Sequence, residues 1–334
     1  MKAFQVKKYN KKEILELVEI IEPSIGENDV LIQIHSAGIN QIDSLIKSGE
    51  FKILLPYKIP FILGHDLAGT VTKIGSKVRK FKIGDEVYSR PRDRRIGTFS
   101  EYIAVHEEDV ALKPKNINME EASSIPLVGL TSWQALVEIG NLKQGQKVFI
   151  QAGSGGVGTF AIQLAKHLGA YVATTTSRDN FDLVKSLGAD FIVDYKTEDF
   201  ETKLKDYDVV LHSNKDQNIL KKSLRILKPG GQLISLTGPV TPEMAIQIGS
   251  PWYLRFITSI LSYKIKNYAK KLNVKFTFLF MKANGNQLRH ITKLIESGEI
   301  KPVIDKAFPF IQTNEALAYV ELGRSKGKVV IKVR

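Results

Sequence analysis

Residues 147–158 read Lys-Val-Phe-Ile-Gln-Ala-Gly-Ser-Gly-Gly-Val-Gly, and this stretch decides the fold. The apolar run Val148 to Ile150 predicts a strand, and Thr159 to Leu168 has its apolar residues at helical spacing. Between them lies Gly153-x-Gly155-x-x-Gly158. Glycine suits these positions because the turn is tight, the backbone must approach a pyrophosphate, and the helix must pack against the strand. The stretch therefore predicts a strand, a phosphate-binding turn and a helix whose first N–H groups face the phosphates.

The same alternation of strand and helix continues on both sides of this turn. Helical spacing begins near Glu120 and is interrupted by Pro126. From residue 147 onward, the patterns predict strands at 147–152, 171–176, 191–195, 208–213 and 232–237. They predict helices at 158–168, 179–187 and 217–227, and a Lys-Pro-Gly-Gly turn at 228–231. Such alternation requires right-handed crossovers and predicts a parallel sheet that helices cover on both faces.

Residues 1–110 have the shorter period of β structure. Short apolar runs separated by turn residues predict strands at Leu15–Ile21, Val30–Ile34, Ala68–Ile74, Glu86–Tyr88 and Tyr102–Val105. This spacing is typical of an antiparallel, barrel-like domain. Two stretches look less like scaffold: Ala37–Asp43, which leads into a short helix ending at Lys47, and Ile62–Gly69.

The composition limits the possible functions. The chain has 334 residues, enough for two domains, and a formal charge of +13, which suits nucleic acid, an anionic membrane or an anionic cofactor as well as a plain solvated surface. It has no cysteine, so disulfides, thiolate nucleophiles and cysteine-ligated zinc are excluded. Neither a signal peptide nor a membrane span is recognisable, and we expect a soluble cytoplasmic protein.

Several motifs in a fixed order resemble the medium-chain dehydrogenase/reductase superfamily, specifically its zinc-free quinone oxidoreductase-like branch. Besides the glycine turn, the matching stretches are Ala37–Asp43, Leu63–Gly69, Gly97–Tyr102, Leu127–Leu136, Ser186–Asp190 and Gly327–Val330. The resemblance covers nearly the whole chain. It implies an α/β fold with a split GroES-like, β-rich catalytic domain at 1–122 and 282–334, and a Rossmann domain with a doubly wound parallel sheet at 123–281.

The cofactor preference depends on the end of the second strand of the Rossmann domain. NAD enzymes place a carboxylate there, whereas this strand ends in Thr174-Thr-Thr-Ser-Arg178, which suits a 2′-phosphate and favours NADPH. Asp179 argues for caution, although it also suits the N-cap of the next helix. Tyr195 resembles a residue of the same phosphate pocket, and a half-buried strand tyrosine is the alternative. The cofactor-binding residues implied are Asn40, Thr131, Gly153, Gly155, Gly156, Val157, Gly158, Ser177, Arg178 and Tyr195.

The family's zinc positions predict that no metal is bound. Zinc-dependent members carry cysteines where Asn40 stands and near Val128, and the two remaining positions correspond to His65 and Asp66. An adjacent His-Asp pair is not a tetrahedral site by itself. Alcohol oxidation, which needs a Lewis acid, is therefore disfavoured.

Hydride transfer to a quinone or an α,β-unsaturated carbonyl compound remains as the candidate reaction. Hydrogen-bond donors can stabilise the enolate that develops in it. Asn40 is the candidate for orienting the nicotinamide or the substrate oxygen, and Asp43 the candidate next to it, with helix capping as the alternative. Thr131 resembles a position near the nicotinamide ring. Related enone reductases often carry a lysine where Leu45 stands, which leaves the proton donor open, and His65 is expected to anchor its loop.

The stretch 244–295 contains nine Lys or Arg and no acidic residue. Within it, apolar residues recur at helical spacing at Tyr253, Phe256, Ile257, Ile260, Leu261, Ile265, Tyr268 and Leu272. The resemblance implies that this segment packs near the cofactor and leads into a strand at Lys275–Met281 that pairs two copies in a homodimer. A basic amphipathic helix also suits an anionic membrane or RNA, so a non-enzymatic NADPH-binding protein stays open as the second hypothesis.

Overall fold

Residues Met1–Leu130 and Lys282–Arg334 form one compact unit of the chain, and Thr131–Met281 form the other. The computed structural model describes all 334 residues. We call the first the β-rich unit and the second the parallel-sheet unit. The division after Leu130 lies eight residues beyond the boundary expected at 122 and falls inside a helix, Pro126–Trp133.

The β-rich unit contains the five strands expected for it and five that the sequence patterns missed. Its strands are β1 Lys2–Val6, β2 Glu16–Glu19, β3 Asp29–Ile39, β4 Phe61–Ile62, β5 Asp66–Ile74, β6 Glu86–Ser89, β7 Tyr102–His106, β8 Val110–Leu112, β15 Ile304–Pro309 and β16 Lys328–Lys332. Its helices are α1 Gln41–Ser48, α2 Met119–Ser123, α3 Pro126–Trp133, α10 Gly285–Glu296 and α11 Thr313–Glu321, of which α3 continues into the other unit.

Strand β3 organises the larger sheet of this unit. It pairs with β5 along one edge, while β7 and β16 share its other edge. The sheet runs in the order β15-β16-β3-β5-β6-β8, and a second sheet has the order β2-β1-β4. Because β3 is buried nearly throughout, its C-terminal end holds Asn40, the N-cap residue of α1, against the core of the unit.

The parallel-sheet unit alternates strands and helices as the sequence predicts. Its strands are β9 Lys147–Ile150, β10 Tyr171–Thr176, β11 Phe191–Asp194, β12 Tyr207–His212, β13 Leu227–Ser235 and β14 Lys275–Phe278. Its helices are α4 Gly156–His167, α5 Phe181–Ser186, α6 Phe200–Lys203, α7 Gln217–Arg225, α8 Pro242–Gln247 and α9 Trp252–Lys271, and a π-helical segment covers Gln134–Ile139.

All six strands of this sheet are parallel, in the order β11-β10-β9-β12-β13-β14. This order is that of the Rossmann fold, and the strand order reverses next to β9. The core contains Phe149, Val193, Val210 and Leu233, which are buried apolar residues of four of the six strands. The fold class predicted from the sequence is confirmed.

Three local predictions need correction. The Lys-Pro-Gly-Gly turn at 228–231 lies within β13, where the pairing register with β12 shifts and Gly230 adopts a φ of 82°. The helix predicted at 179–187 begins later, as α5 at Phe181, after a 3₁₀ turn over Arg178–Asn180. Asp179 is therefore inside the turn, and Asn180, not Asp179, occupies the N-cap position.

None of the helices is both long enough and apolar enough to cross a lipid bilayer.

Candidate functional site

The glycine turn joins β9 to α4 at the centre of the parallel sheet. Gly153 N–H donates to Thr175 O at 2.9 Å, and Ala152 N–H donates to the Thr175 hydroxyl at 3.1 Å, so β10 holds the turn in place. Helix α4 begins at Gly156 after Gly155, and no side chain caps it. The N–H groups of its first turn, at Gly156, Val157 and Gly158, have no acceptor within the helix and are available to an anion.

The three positions of the motif require glycine for different physical reasons. A Cβ atom on Gly153 would lie 2.2 Å from the Thr174 hydroxyl, and one on Gly158 would lie 2.3 Å from Ala152 O. Both glycines are therefore required by packing inside the turn. A Cβ atom on Gly155 would meet only Ala152 O, at 3.4 Å, and would otherwise project into open space. Open space above uncapped N–H groups is what a bound pyrophosphate needs.

Small polar side chains gather where β10 ends. Thr176 donates to the Ser154 hydroxyl at 2.9 Å, and the Asn180 amide lies 3.3 Å from Ser154 Oγ and 3.2 Å from Ser177 Oγ. The Asn180 Oδ1 atom is buried without a hydrogen-bond partner. An unpartnered acceptor is costly in a folded protein, and a ribose hydroxyl could supply the donor it lacks. The residues present thus fit a nucleotide.

The charged groups at this end of the sheet are exposed. The Arg178 guanidinium lies over the Phe181 ring at 5.4 Å, and Asp179 next to it is also exposed. Tyr195 follows the end of β11 and is 62% exposed, so the half-buried alternative is wrong. Thr131 is buried in α3.

The β-rich unit contains a buried polar cluster that we call the Lys328 cluster: Asn40, Asp66 and Lys328. The Lys328 ammonium donates to Asn40 Oδ1, to Ile39 O at 3.0 Å and to Asp66 Oδ2 at 3.1 Å. The Asn40 amide donates to the same Asp66 oxygen at 2.9 Å. Leu127 N–H donates to the other Asp66 oxygen at 2.7 Å. An ammonium only donates and a carboxylate only accepts, so the Asn40 amide has a single orientation.

Asp43 and His65 form a second buried pair beside this cluster. The Asp43 carboxylate accepts from Asn40 N–H at 2.8 Å through one oxygen and lies 2.6 Å from His65 Nδ1 through the other. Asp43 therefore closes the capping box at the start of α1, as its helix-capping alternative predicted, and its other oxygen holds His65, which agrees with the anchoring expected for that histidine. The His65 Nε2 atom is buried and has no hydrogen-bond partner.

The donor set of this region does not favour a metal ion. No group of three or more His, Cys, Asp or Glu side chains is arranged to hold one. The Lys328 ammonium instead bonds directly to Asn40 and Asp66, two of the four positions that the resemblance relates to zinc ligands. A divalent cation at the same atoms would meet a positive charge.

Sequence reasoning identified Asn40, Asp43, His65 and Asp66 but missed Lys328. Lys328 lies in the Gly327–Val330 motif, but no sequence pattern predicts a site role for it. The signal that could have found it is a lysine at the start of the apolar run Lys328–Ile331, since strand β16 is buried through all four of these positions. A fully buried lysine is rare unless it is paired. Its partners, however, lie at least 262 positions away in the chain.

The parallel-sheet unit contains one buried histidine with little polar support. His212 ends β12, its Nδ1 lies 3.5 Å from the Ser223 hydroxyl, and its Nε2 has no partner. Burial lowers the pKa of His212 to about 4 because the charged imidazolium loses its hydration. The imidazole is therefore neutral at pH 7.

Comparison with known proteins agrees with this architecture. The family model described as alcohol dehydrogenase GroES-like domain matches residues 26–115, and the one described as zinc-binding dehydrogenase matches residues 187–331.

Relatives resemble the chain along its whole length. A protein of Solanum lycopersicum named 2-methylene-furan-3-one reductase is 36% identical over 99% of this chain and 79% of its own length. A protein of Arabidopsis thaliana named NADPH-dependent alkenal/one oxidoreductase, chloroplastic, is 35% identical over the same shares of the two chains. Among solved structures, the quinone oxidoreductase from Coxiella burnetii has 30% sequence identity and a TM-score of 0.87, covering 100% of this chain and 99% of its own.

These similarities extend over both units, and they accompany the Rossmann strand order, the glycine turn and the β-rich unit that encloses the Rossmann segment in sequence. The chain belongs to the medium-chain dehydrogenase/reductase superfamily, in its quinone oxidoreductase-like branch.

Proposed function

We propose that this protein is an NADPH-dependent, metal-independent reductase of quinones or α,β-unsaturated carbonyl compounds. The names of the relatives support the class of substrate and the cofactor. One observation carries the rest of the proposal: the Lys328 ammonium is bonded to Asn40 and Asp66. The glycine turn does not distinguish this function from alcohol oxidation, because both use a nicotinamide cofactor. The Lys328 cluster supports the reductase, because its ammonium lies where a catalytic zinc would need ligands.

The nucleotide would be held by the uncapped first turn of α4, with Gly155 leaving room for the pyrophosphate. The nicotinamide cofactor supplies the hydride when it is bound. At the end of β10, Ser177 and Arg178 provide a hydroxyl and a guanidinium for a 2′-phosphate, and Tyr195 is exposed near the end of the neighbouring strand β11. Asp179 does not cap the next helix, so its exposed carboxylate counts against strict discrimination between NADPH and NADH.

Asn40 is the residue proposed to meet the substrate oxygen or the nicotinamide, and its geometry limits how. One amide hydrogen is bonded to Asp66 and the amide oxygen to Lys328, which leaves one N–H able to donate. Such a donor stabilises negative charge that develops on a carbonyl oxygen. Asp43 acts on this residue through its hydrogen bond from Asn40 N–H, and we assign it a positioning role. Thr131 remains a proposed contact of the nicotinamide.

The electrostatics of a buried site support the proposed metal independence. The side chains of Asp66 and Lys328 are both nearly inaccessible to water, so their charges are weakly screened. The ammonium neutralises the Asp66 carboxylate, which would otherwise be the natural ligand for a cation. Binding zinc there would require the lysine to leave its three hydrogen bonds.

A homodimer is also proposed. Strand β14 has β13 as its one neighbour and forms the edge of the six-stranded sheet. An edge strand presents unpaired N–H and C=O groups that a second copy can pair with. The molar mass in solution, measured by light scattering, tests this directly. The cytoplasmic location expected from the sequence stays a prediction.

The test of the function is a steady-state assay with NADPH, and separately with NADH, against 1,2-naphthoquinone and small enones. We expect turnover that is faster with NADPH, survives dialysis against a chelator and does not increase when zinc is added. Loss of activity on chelation would contradict metal independence. Tight NADPH binding without turnover of any acceptor would favour the non-enzymatic NADPH-binding alternative.

A further inference from the structure

Helix α9, Trp252–Lys271, has a buried side of mostly small residues and an exposed side of large apolar residues. Its inner side is buried through small or medium residues: Thr258, Ser262, Ile265 and Ala269. Its outward side carries large apolar side chains that are exposed, and we call them the outer face: Trp252, Tyr253, Phe256, Ile257, Ile260, Leu261 and Tyr263. Trp252 is 77% and Phe256 64% exposed. The sequence pattern correctly predicted the helix, but of the eight apolar residues in the predicted stripe only Ile265 is fully buried.

The outer face continues into a basic end. Lys270 follows Trp252 by five helical turns and so lies on the same side of the helix, about 27 Å further along the axis. Lys264 and Lys271 lie near it, and the sequence from 244 to 295 contains no acidic residue. A pocket of about 220 Å³ opens at this end, lined among others by Lys266, Lys270 and Lys275. Of these, Lys266 is already paired with Glu243.

We propose that the outer face of α9 docks on an anionic lipid bilayer. A helix that lies in the plane of a bilayer buries aromatic and aliphatic side chains at the level of the headgroups and places lysines against anionic lipids. The outer face has a tryptophan, two tyrosines, a phenylalanine and three aliphatic residues in its first three turns, followed by lysines. The lysine pocket is suited to a headgroup phosphate. This inference is independent of the proposed reductase activity.

A second copy of the chain fits this surface less well. A two-fold interface brings the same patch of both copies together, so α9 would meet α9 or its surroundings. The cations of the basic end would then approach one another without a carboxylate from 244–295 to separate them. Lysine is also depleted in protein interfaces in general, whereas anionic lipid supplies the missing negative charge.

RNA also fits less well. Single-stranded RNA uses cations and aromatic rings, and the bases stack on those rings. The outer face contains Ile257, Ile260 and Leu261 among its aromatic residues, and all three are exposed. Branched aliphatic side chains offer no stacking surface to a base but gain free energy when hydrocarbon covers them.

The experiment is flotation of the full-length protein with vesicles of phosphatidylcholine and phosphatidylserine in a four-to-one ratio, compared with phosphatidylcholine alone. We expect binding to the mixed vesicles, at least about tenfold weaker binding to the neutral ones, and loss of affinity as salt is raised. The emission of Trp252 should shift to shorter wavelength on the mixed vesicles. The variant Trp252→Phe keeps an apolar ring there, so it should float but lose the shift.

Two further variants separate the apolar and the charged contributions. Phe256→Ser combined with Ile260→Ser should weaken binding at least about tenfold, because two large side chains no longer enter the lipid. Ile311→Ser combined with Leu322→Ser removes residues that are 64% and 66% exposed elsewhere in the chain and should leave binding unchanged. Replacing Lys264, Lys270 and Lys271 by Gln should lower affinity about fivefold for each charge.

Several results would overturn the proposal. Equal affinity for neutral and mixed vesicles would remove the role of the basic end. A mass measurement in which the Phe256/Ile260 variant turns a dimer into a monomer, with no flotation of either form, would assign the face to a second copy. RNA binding that depends on the three lysines but not on Phe256 and Ile260, without flotation, would assign it to nucleic acid.

Discussion

The glycine turn of the parallel-sheet unit and the Lys328 cluster of the β-rich unit accommodate charge in opposite ways. The turn offers uncapped backbone N–H groups of a few consecutive residues after β9 to an anion, and this requires open space. The cluster pairs buried charges through side chains from positions that are 26 and 262 residues apart, and it requires exclusion of water. One is a local geometry that glycine permits, and the other exists only because three strands meet.

The two regions should therefore respond differently to substitution. Substitution at Gly155, the open position of the turn, should mainly change ligand binding, since the groups proposed to bind belong to the backbone. Substitution in the cluster should mainly change stability, because removing one partner leaves a buried charge behind. Substitutions in both regions test this division between binding and stability.

Lys328→Met should be the most damaging change. It leaves the Asp66 carboxylate buried without its cation, and breaking a buried ion pair in this way costs about 3–5 kcal/mol of unfolding free energy. Urea unfolding followed by circular dichroism measures the loss. The matched control is Lys332→Met in the same strand, whose exposed pair with Glu120 should contribute less than about 1 kcal/mol. Equal losses in the two variants would contradict the assigned role of the cluster.

His212 extends the comparison to a buried group that has no charged partner. Its pKa of about 4 in the folded protein lies below the ordinary value of 6.5, so the unfolded chain takes up the proton more readily. Unfolding free energy should therefore be complete above pH 6.5 and fall as the pH is lowered from 6.5 toward 4, by about 3 kcal/mol at most.

His212→Gln removes this titration, so the difference between wild type and variant isolates it from the other acid-sensitive groups. The difference in unfolding free energy between wild type and variant should stay constant above pH 6.5 and change as the pH is lowered below it. Parallel curves throughout the acid range would show that His212 does not titrate in this way.

Two glycines of the turn should separate folding from binding. Gly158→Ala places a Cβ atom 2.3 Å from Ala152 O and should destabilise the fold by about 1–3 kcal/mol. Gly155→Ala meets only one atom, at 3.4 Å, and should keep the stability while weakening NADPH binding at least about tenfold. Thermal unfolding and fluorescence titration with NADPH give the two readouts. Normal NADPH affinity in Gly155→Ala would place the pyrophosphate elsewhere.

Arg178→Ala should have the smallest effect and the most selective one. Losing a charge-assisted contact with the 2′-phosphate should lower the affinity for NADPH about tenfold and leave that for NADH unchanged. Lys185→Ala removes one positive charge from the neighbouring helix α5 and serves as the control. An unchanged preference for NADPH would show that the phosphate lies away from Arg178.

Local patterns predicted much of the fold because the spacing of apolar residues and the turn residues that end helices and strands are local properties of the sequence. The parallel strands and the glycine turn were predicted close to their observed bounds, and so was α9. Asp179 was assigned to a helix cap wrongly, since the extra 3₁₀ turn moves the helix start by two residues. Tyr195 was expected to be half-buried or bound to phosphate, and only the position where β11 ends decides that it is exposed.

The outer face of α9 shows a different limit. Helical spacing of apolar residues marks a stripe, but spacing alone does not say which side of a helix packs against the core. Here the small residues Thr258, Ser262 and Ala269 approach the core, and most of the larger apolar side chains point outward.

The sequence by itself determined the Rossmann alternation, the nucleotide-binding turn and the absence of thiolate ligands, because each depends on residue type at short spacing. The tertiary structure alone decided that Lys328 joins Asn40 and Asp66, that Asp43 holds His65, and that Gly155 faces open space. Buried charges find their partners through strand pairing between distant parts of the chain, and no local pattern contains that information.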